Sequence, residues 1–344
     1  MDVSSNLPPA KASHAIQRLT ALWAFTEAGL GGVLHAFSLP FTALSVGGIA
    51  VILITLIASY SERPFRAILR ATLIVLIVKA AVSPHSPVMA YVAVSFQGFI
   101  GAVVFGLTSR LTLGAMALGT LAMLESSLQK LFTLTVIYGT SLWEAIDALF
   151  HYAGRQLGVS TEGLSLSLGL ISGYVGLYVL SGLVIGWLAA RMVRTIREER
   201  ITMDWSVLPV AEARLAPTAD RPWYKRPWLR YALVLLMLAV ALVLLQEGQG
   251  AWQTGLYVIA RSLLVVSLWI GVLGPLFKKA LDRWLARQQH RYANEVEDAL
   301  QLVPVLRHTA GPVWQAQQGK GWKRIWHFLV IMIHFALTYE HKEP

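Results

Sequence analysis

Apolar positions along this chain fall into runs of membrane length, separated by short stretches where Pro, Gly and basic residues collect. The runs Leu19 to Phe37, Thr42 to Tyr60, Ala71 to Val82, Val88 to Leu107, Leu111 to Tyr138 and Leu164 to Ala190 predict six helices, most near the ~20 residues a bilayer requires. Leu111 to Tyr138 makes about 42 Å of helix and so tilts or extends beyond the bilayer. Between the fifth and sixth runs, Trp143 to Leu157 sets Ile146, Leu149 and Phe150 against Glu144, Asp147, His151 and Arg155, the pattern of a helix lying on the membrane surface. Residues Ile201 to Arg230 mix prolines with charges and read as a linker. Two more runs follow, Tyr231 to Leu245 and Trp252 to Leu273. Beyond Pro275 the stripe Leu281, Trp284, Leu285, Gln288, Tyr292, Val296, Leu300 predicts a long amphipathic helix, ended by Pro304 and Gly311-Pro312. The apolar stretch Ile325 to Tyr339 is short for a span and reads as an interfacial or partner-covered helix.

The expected fold is therefore all-α: a polytopic membrane bundle of six spans over residues 1–200, a linker over 201–229, and a two-span module with an amphipathic helix over 230–344. Composition agrees, with 56% hydrophobic and only 14% charged residues, the latter well below the roughly 25% of an average soluble domain. Arg and Lys collect at alternate junctions, Lys11 and Arg18, Arg63 to Arg70, Arg110, Arg191 to Arg200 and Lys278 to Arg291. By the positive-inside bias these are cytoplasmic, which puts both termini inside a cell (inner) membrane. The polar start, Met1 to Ser13, lacks the form of a cleavable signal, so the N-terminus is expected to stay attached. The same clustering explains the net charge of +10 without nucleic acid as a partner. There is no Cys, hence no disulfide or thiolate chemistry.

The first run carries the most chemistry. Ala24, Ala28, Gly32 and Ala36 form a small-residue ridge that lets another helix approach closely. A neighbouring stripe holds Glu27, Gly31 and His35, the two polar ends about 12 Å apart along the helix. Charges within hydrocarbon cannot face lipid without a penalty of a few kcal/mol, so Glu27, Lys79, Glu125 and Lys130 must meet protein, water or each other. Two arrangements satisfy this. Either Glu27, His35, Gln97, Glu125, Gln129 and Lys130 line a pocket for a small solute, or Glu27 pairs with Lys79, and Glu125 with Lys130 or a neighbouring helix, as structural ion pairs. His327 and His334 share a helix face without an acidic partner near in sequence, which gives a metal pair little support. No G-x-x-x-x-G-K-[ST], G-x-S-x-G or H-E-x-x-H motif is present, so no catalytic residue, cofactor or metal is assigned.

Residues 14–200 resemble the substrate-binding S components of energy-coupling-factor transporters, on the Ala24-Ala28-Gly32-Ala36 ridge, the six short-looped spans and the Gly-rich last span ending in Arg191 to Arg200. The resemblance implies capture of a vitamin-like solute, docking of the ridge on a scaffold membrane subunit, and power from separate ATPase subunits. Asp2 stands where the metal-binding branch carries His, and the chain continues about 140 residues past the sixth run with no Ala-Arg-Gly type coupling signature. The alternative is a non-catalytic scaffold or accessory subunit of a larger membrane complex, whose Leu281 to Leu300 helix grips a soluble partner.

Overall fold

In the computed structural model the first helix, α1 (Pro9–Phe25), is the axis of the packing: every residue from 19 to 28 is buried. The structure describes residues 9–30, 42–83, 86–161, 163–198, 251–317 and 321–338. The predicted linker, the seventh run Tyr231 to Leu245, and His35, Gly32 and Ala36 lie outside them. Helix α1 continues as a π turn over Thr26–Leu30. It is followed by α2 (Thr42–Ser59), α3 (Pro64–Val82), α4 (Val88–Leu107), α5 (Leu111–Tyr138), α6 (Ser141–Gln156) and α7 (Leu166–Glu198). After residue 250 come α8 (Ala251–Leu268) with a π turn over Trp269–Leu273, α9 (Gly274–Gln289), a 3₁₀ turn over His290–Tyr292, α10 (Ala293–Ala316) and α11 (Trp322–Thr338). The described residues are all-helical, with no strand.

Local chemistry sets the boundaries. Pro64 at the first position of α3 loses no helical hydrogen bond there, and the helix stops at Ser83 because Pro84 disfavours helical backbone in the residue before it. Helix α5 ends on Gly139 at φ 79°, a left-handed position that glycine fills without a Cβ penalty. The long helix expected beyond Pro275 is instead broken at His290–Tyr292. Pro304 and Pro312 do not end α10, which runs through both. Each internal proline costs about 3 kcal/mol, and α10 tolerates them because Leu306 and Val313 are fully buried and the helix packs against α1, α3 and α11.

The chain divides into two compact units. The first, drawing on Met1–Leu124, Tyr178–Ala216 and Asp282–Pro344, packs α1 among α2, α3, α10 and α11, with α4 laid along α3. Within it the start of α5 crosses the second half of α7 at backbone contact: a Cβ added to Gly182 would lie 2.5 Å from the Gly119 carbonyl oxygen, and one added to Gly186 2.5 Å from Met116 Cα. The second unit holds Glu125–Leu177 and Pro217–Leu281. Four described stretches are long and apolar enough to cross a membrane: α4, α5, Leu166–Arg197 of α7 and one within Leu256–Ala316. Helix α2 is a shorter apolar helix over Leu44–Ser59.

Candidate functional site

Glu27 sits in the π turn that follows α1, where the backbone is wound more loosely than in an α-helix. Lys79 comes from the last turn of α3, and its Nζ donates to Glu27 Oε2 at 2.8 Å and to the Glu27 backbone oxygen at 3.1 Å. Glu27 is 5% exposed and Lys79 3%. One ammonium thus covers both the carboxylate and a carbonyl, so the pair is a sealed ion pair. Of the two arrangements open to Glu27 from sequence, the structure takes the one with Lys79.

The other predicted ligand residues are placed differently. Gln97 on α4 is 4% exposed, with its Nε2 directed at Gly47 of α2 and its Oε1 buried without a hydrogen-bond partner. Glu125 and Gln129 stand one turn apart on the same face of α5, and Glu125 Oε2 and Gln129 Nε2 are likewise buried and unpartnered. Lys130 is exposed, and among the described residues no ion pair joins it to Glu125. Buried polar atoms nearly always find a partner in native structures, so each such orphan calls for a water, an ion or a ligand.

The small-residue ridge on α1 does not stand free in its described half. Ala24 is 0% and Ala28 7% exposed, in a helix packed by α2, α3, α10 and α11 of the same chain. Helix α11 buries Val330, Ile333 and Ala336 within the first unit, so its apolar face meets its own chain.

Two features escaped the sequence reading. Arg261, within α8, reaches the end of α5, where a Cβ at Gly139 would lie 2.5 Å from its Nη1. The neighbouring Ser262 Oγ donates to Ile137 O at 2.9 Å. A cation at a helix C-terminus meets the negative end of the dipole, and a charge inside an apolar run was the available signal. The second is Asp147 of α6, read only as part of a polar face. It accepts from Ser167 N at 2.8 Å, Ser167 Oγ at 2.7 Å and Ser165 Oγ at 3.0 Å, holding the start of α7. Those bonds, the Ser167 backbone bond first, hold its carboxyl below the ordinary carboxylate value. The clasp is therefore complete above the ordinary Asp value of 3.8 and is lost as pH falls through the lowered native value. We expect Asp147→Ala at neutral pH to speed proteolysis of the connection between α6 and α7, with wild type acquiring the same sensitivity only in strong acid. Equal cleavage rates for the two proteins at neutral pH would remove Asp147 as the clasp.

Among the described residues no group of three or more His, Asp or Glu is placed to hold a metal ion. No family model, curated protein or solved structure matches the chain. Its helices and their apolar lengths define the class, a helical protein with the make-up of a multi-pass membrane protein.

Proposed function

We propose that this chain is a multi-pass membrane subunit that captures a small polar solute, in the manner of an energy-coupling-factor S component, with separate ATPase and scaffold subunits supplying the power. In this reading six spans and two further spans cross a cytoplasmic (inner) membrane with both termini inside. The observation that supports it is the state of the predicted ligand residues: Gln97, Glu125 and Gln129 each keep a buried polar atom without a partner inside apolar helices. A solute with donors and acceptors would satisfy Glu125 and Gln129, which belong to the same unit. The solute-facing assignment rests on Glu125 and Gln129, on one turn of α5, and no longer on Glu27. Docking through the ridge is confined to Gly32 and Ala36, since Ala24 and Ala28 are buried by their own chain.

The second reading, a non-catalytic scaffold or accessory subunit, is favoured by the sealed Glu27–Lys79 pair. One experiment separates the two. The purified full chain is screened against vitamins and related cofactors by thermal shift, because a ligand that binds only the folded state raises the transition temperature. Capture predicts at least one responder whose effect is lost in Gln129→Leu while the unliganded protein melts no lower than wild type. A flat panel, together with no ATPase on co-purification, leaves the scaffold reading standing.

A further inference from the structure

A cleft of about 320 Å³ opens between the N-terminal half of α1, the corner joining α2 to α3, and α10, all within the first unit. It is at the small end of the roughly 300–1,000 Å³ range of ligand sites. Its lining is divided by chemistry. Ile16, Ala67, Ala71 and Ile74 make an apolar wall, while Glu62, Arg63, Arg70 and Glu295 bring two carboxylates and two guanidinium groups to the same opening. Arg70 is bonded to Glu295, which fixes one charged pair across α3 and α10. Glu62 and Arg63 are exposed, and among the described residues neither enters an ion pair.

We propose that this cleft binds a zwitterionic head group, a phosphate ester carrying a primary ammonium, with a membrane phospholipid as its source. Charge balance points to the class: two cationic and two anionic side chains give a simple anion no net attraction, whereas a phosphate beside an ammonium meets both signs. The phosphate is assigned to the guanidinium groups of Arg63 and Arg70, whose planar fork matches its oxygens. The ammonium goes to Glu62 and the outer face of Glu295. Position selects the source and rests on the six-span reading proposed above: there the basic stretch Ser61 to Arg70 passes into the apolar run beginning at Ala71 at the level of a membrane surface. The apolar wall then meets the glycerol end of the lipid.

The test uses the full chain in nanodiscs, with retained lipid read by native mass spectrometry. Phosphatidylethanolamine should be held about tenfold more strongly than phosphatidylcholine, whose methylated ammonium has no N–H to donate, and than phosphatidylglycerol, which has no ammonium. Glu62→Gln should erase the preference over phosphatidylcholine. Arg63→Ala should weaken retention of every phosphate head group, and unfolding midpoints equal to wild type would exclude a folding defect. Saturable binding of soluble phosphoethanolamine without lipid selectivity keeps the chemistry and moves its source to a free solute. Equal retention across the three lipids and no response to phosphoethanolamine, or a phosphatidylethanolamine preference unchanged in both variants, overturns the proposal.

Discussion

Replacing Lys79 with Met will destabilise this protein by about 3–5 kcal/mol, because it leaves the Glu27 carboxylate buried with no counter-charge. The magnitude follows from the closure of the site. Glu27 and Lys79 side chains are 6% and 4% exposed, and the same Nζ also serves the Glu27 carbonyl. With the site this closed, the carboxylate loses its counter-charge without gaining water unless the π turn opens. The double variant Glu27→Leu with Lys79→Met should recover most of the loss, since exchanging a buried pair for apolar groups of similar volume is often neutral or better. Unfolding of the four proteins of this cycle in detergent measures the coupling directly. If Lys79→Met were as stable as wild type, the carboxylate would have to be hydrated, and Glu27 would return as a candidate to face a solute.

The second large effect is expected where α5 crosses α7. Any side chain at Gly182 or Gly119 must push backbone away, since the atoms it meets are Gly119 O and Thr120 Cα on one side and Gly186 N on the other. Gly182→Val should cost about 1–3 kcal/mol, the range for overpacking a tight contact, or more if the helices separate outright. Gly173 on the same helix is the internal control, because a Cβ there meets nothing within 4 Å. Gly173→Ala should be neutral or stabilising by up to about 1 kcal/mol through helix propensity alone. Opposite signs at two glycines of one helix, read as shifts in unfolding midpoint, are the expected result. Equal tolerance at both positions would mean that the crossing is looser than described.

Much of the helix layout was legible without coordinates. The runs from Val88 to Leu107 and Leu111 to Tyr138 coincide with α4 and α5, and the mixed segment Trp143 to Leu157 with the helix α6, because apolar length and 3.6-residue periodicity are local properties. Helix ends depended on more than local rules. Pro304 and Pro312 signal termination in isolation, and the burial of Leu306 and Val313 in a helix packed on distant parts of the chain overrode them. The candidate site divided the same way. That Glu27 needed a partner was certain from the cost of a charge in hydrocarbon. That the partner is Lys79, 52 positions away, follows only from how α3 lies beside α1.

Local composition and periodicity are enough to make this chain helical, apolar over membrane lengths, and furnished with charges and small-residue ridges that cannot face lipid idly. Those conclusions rest on transfer free energies and helical repeat, which each segment carries with it. What each ridge and charge meets depends on the packing of distant helices: Ala24 and Ala28 turn to their own chain, Gly182 and Gly186 carry a crossing that Gly173 does not, and Glu27 is closed while Glu125 and Gln129 keep unpartnered atoms. Partner choice is a property of pairs of helices distant in sequence, and no single segment encodes which of several equally apolar neighbours will lie against it.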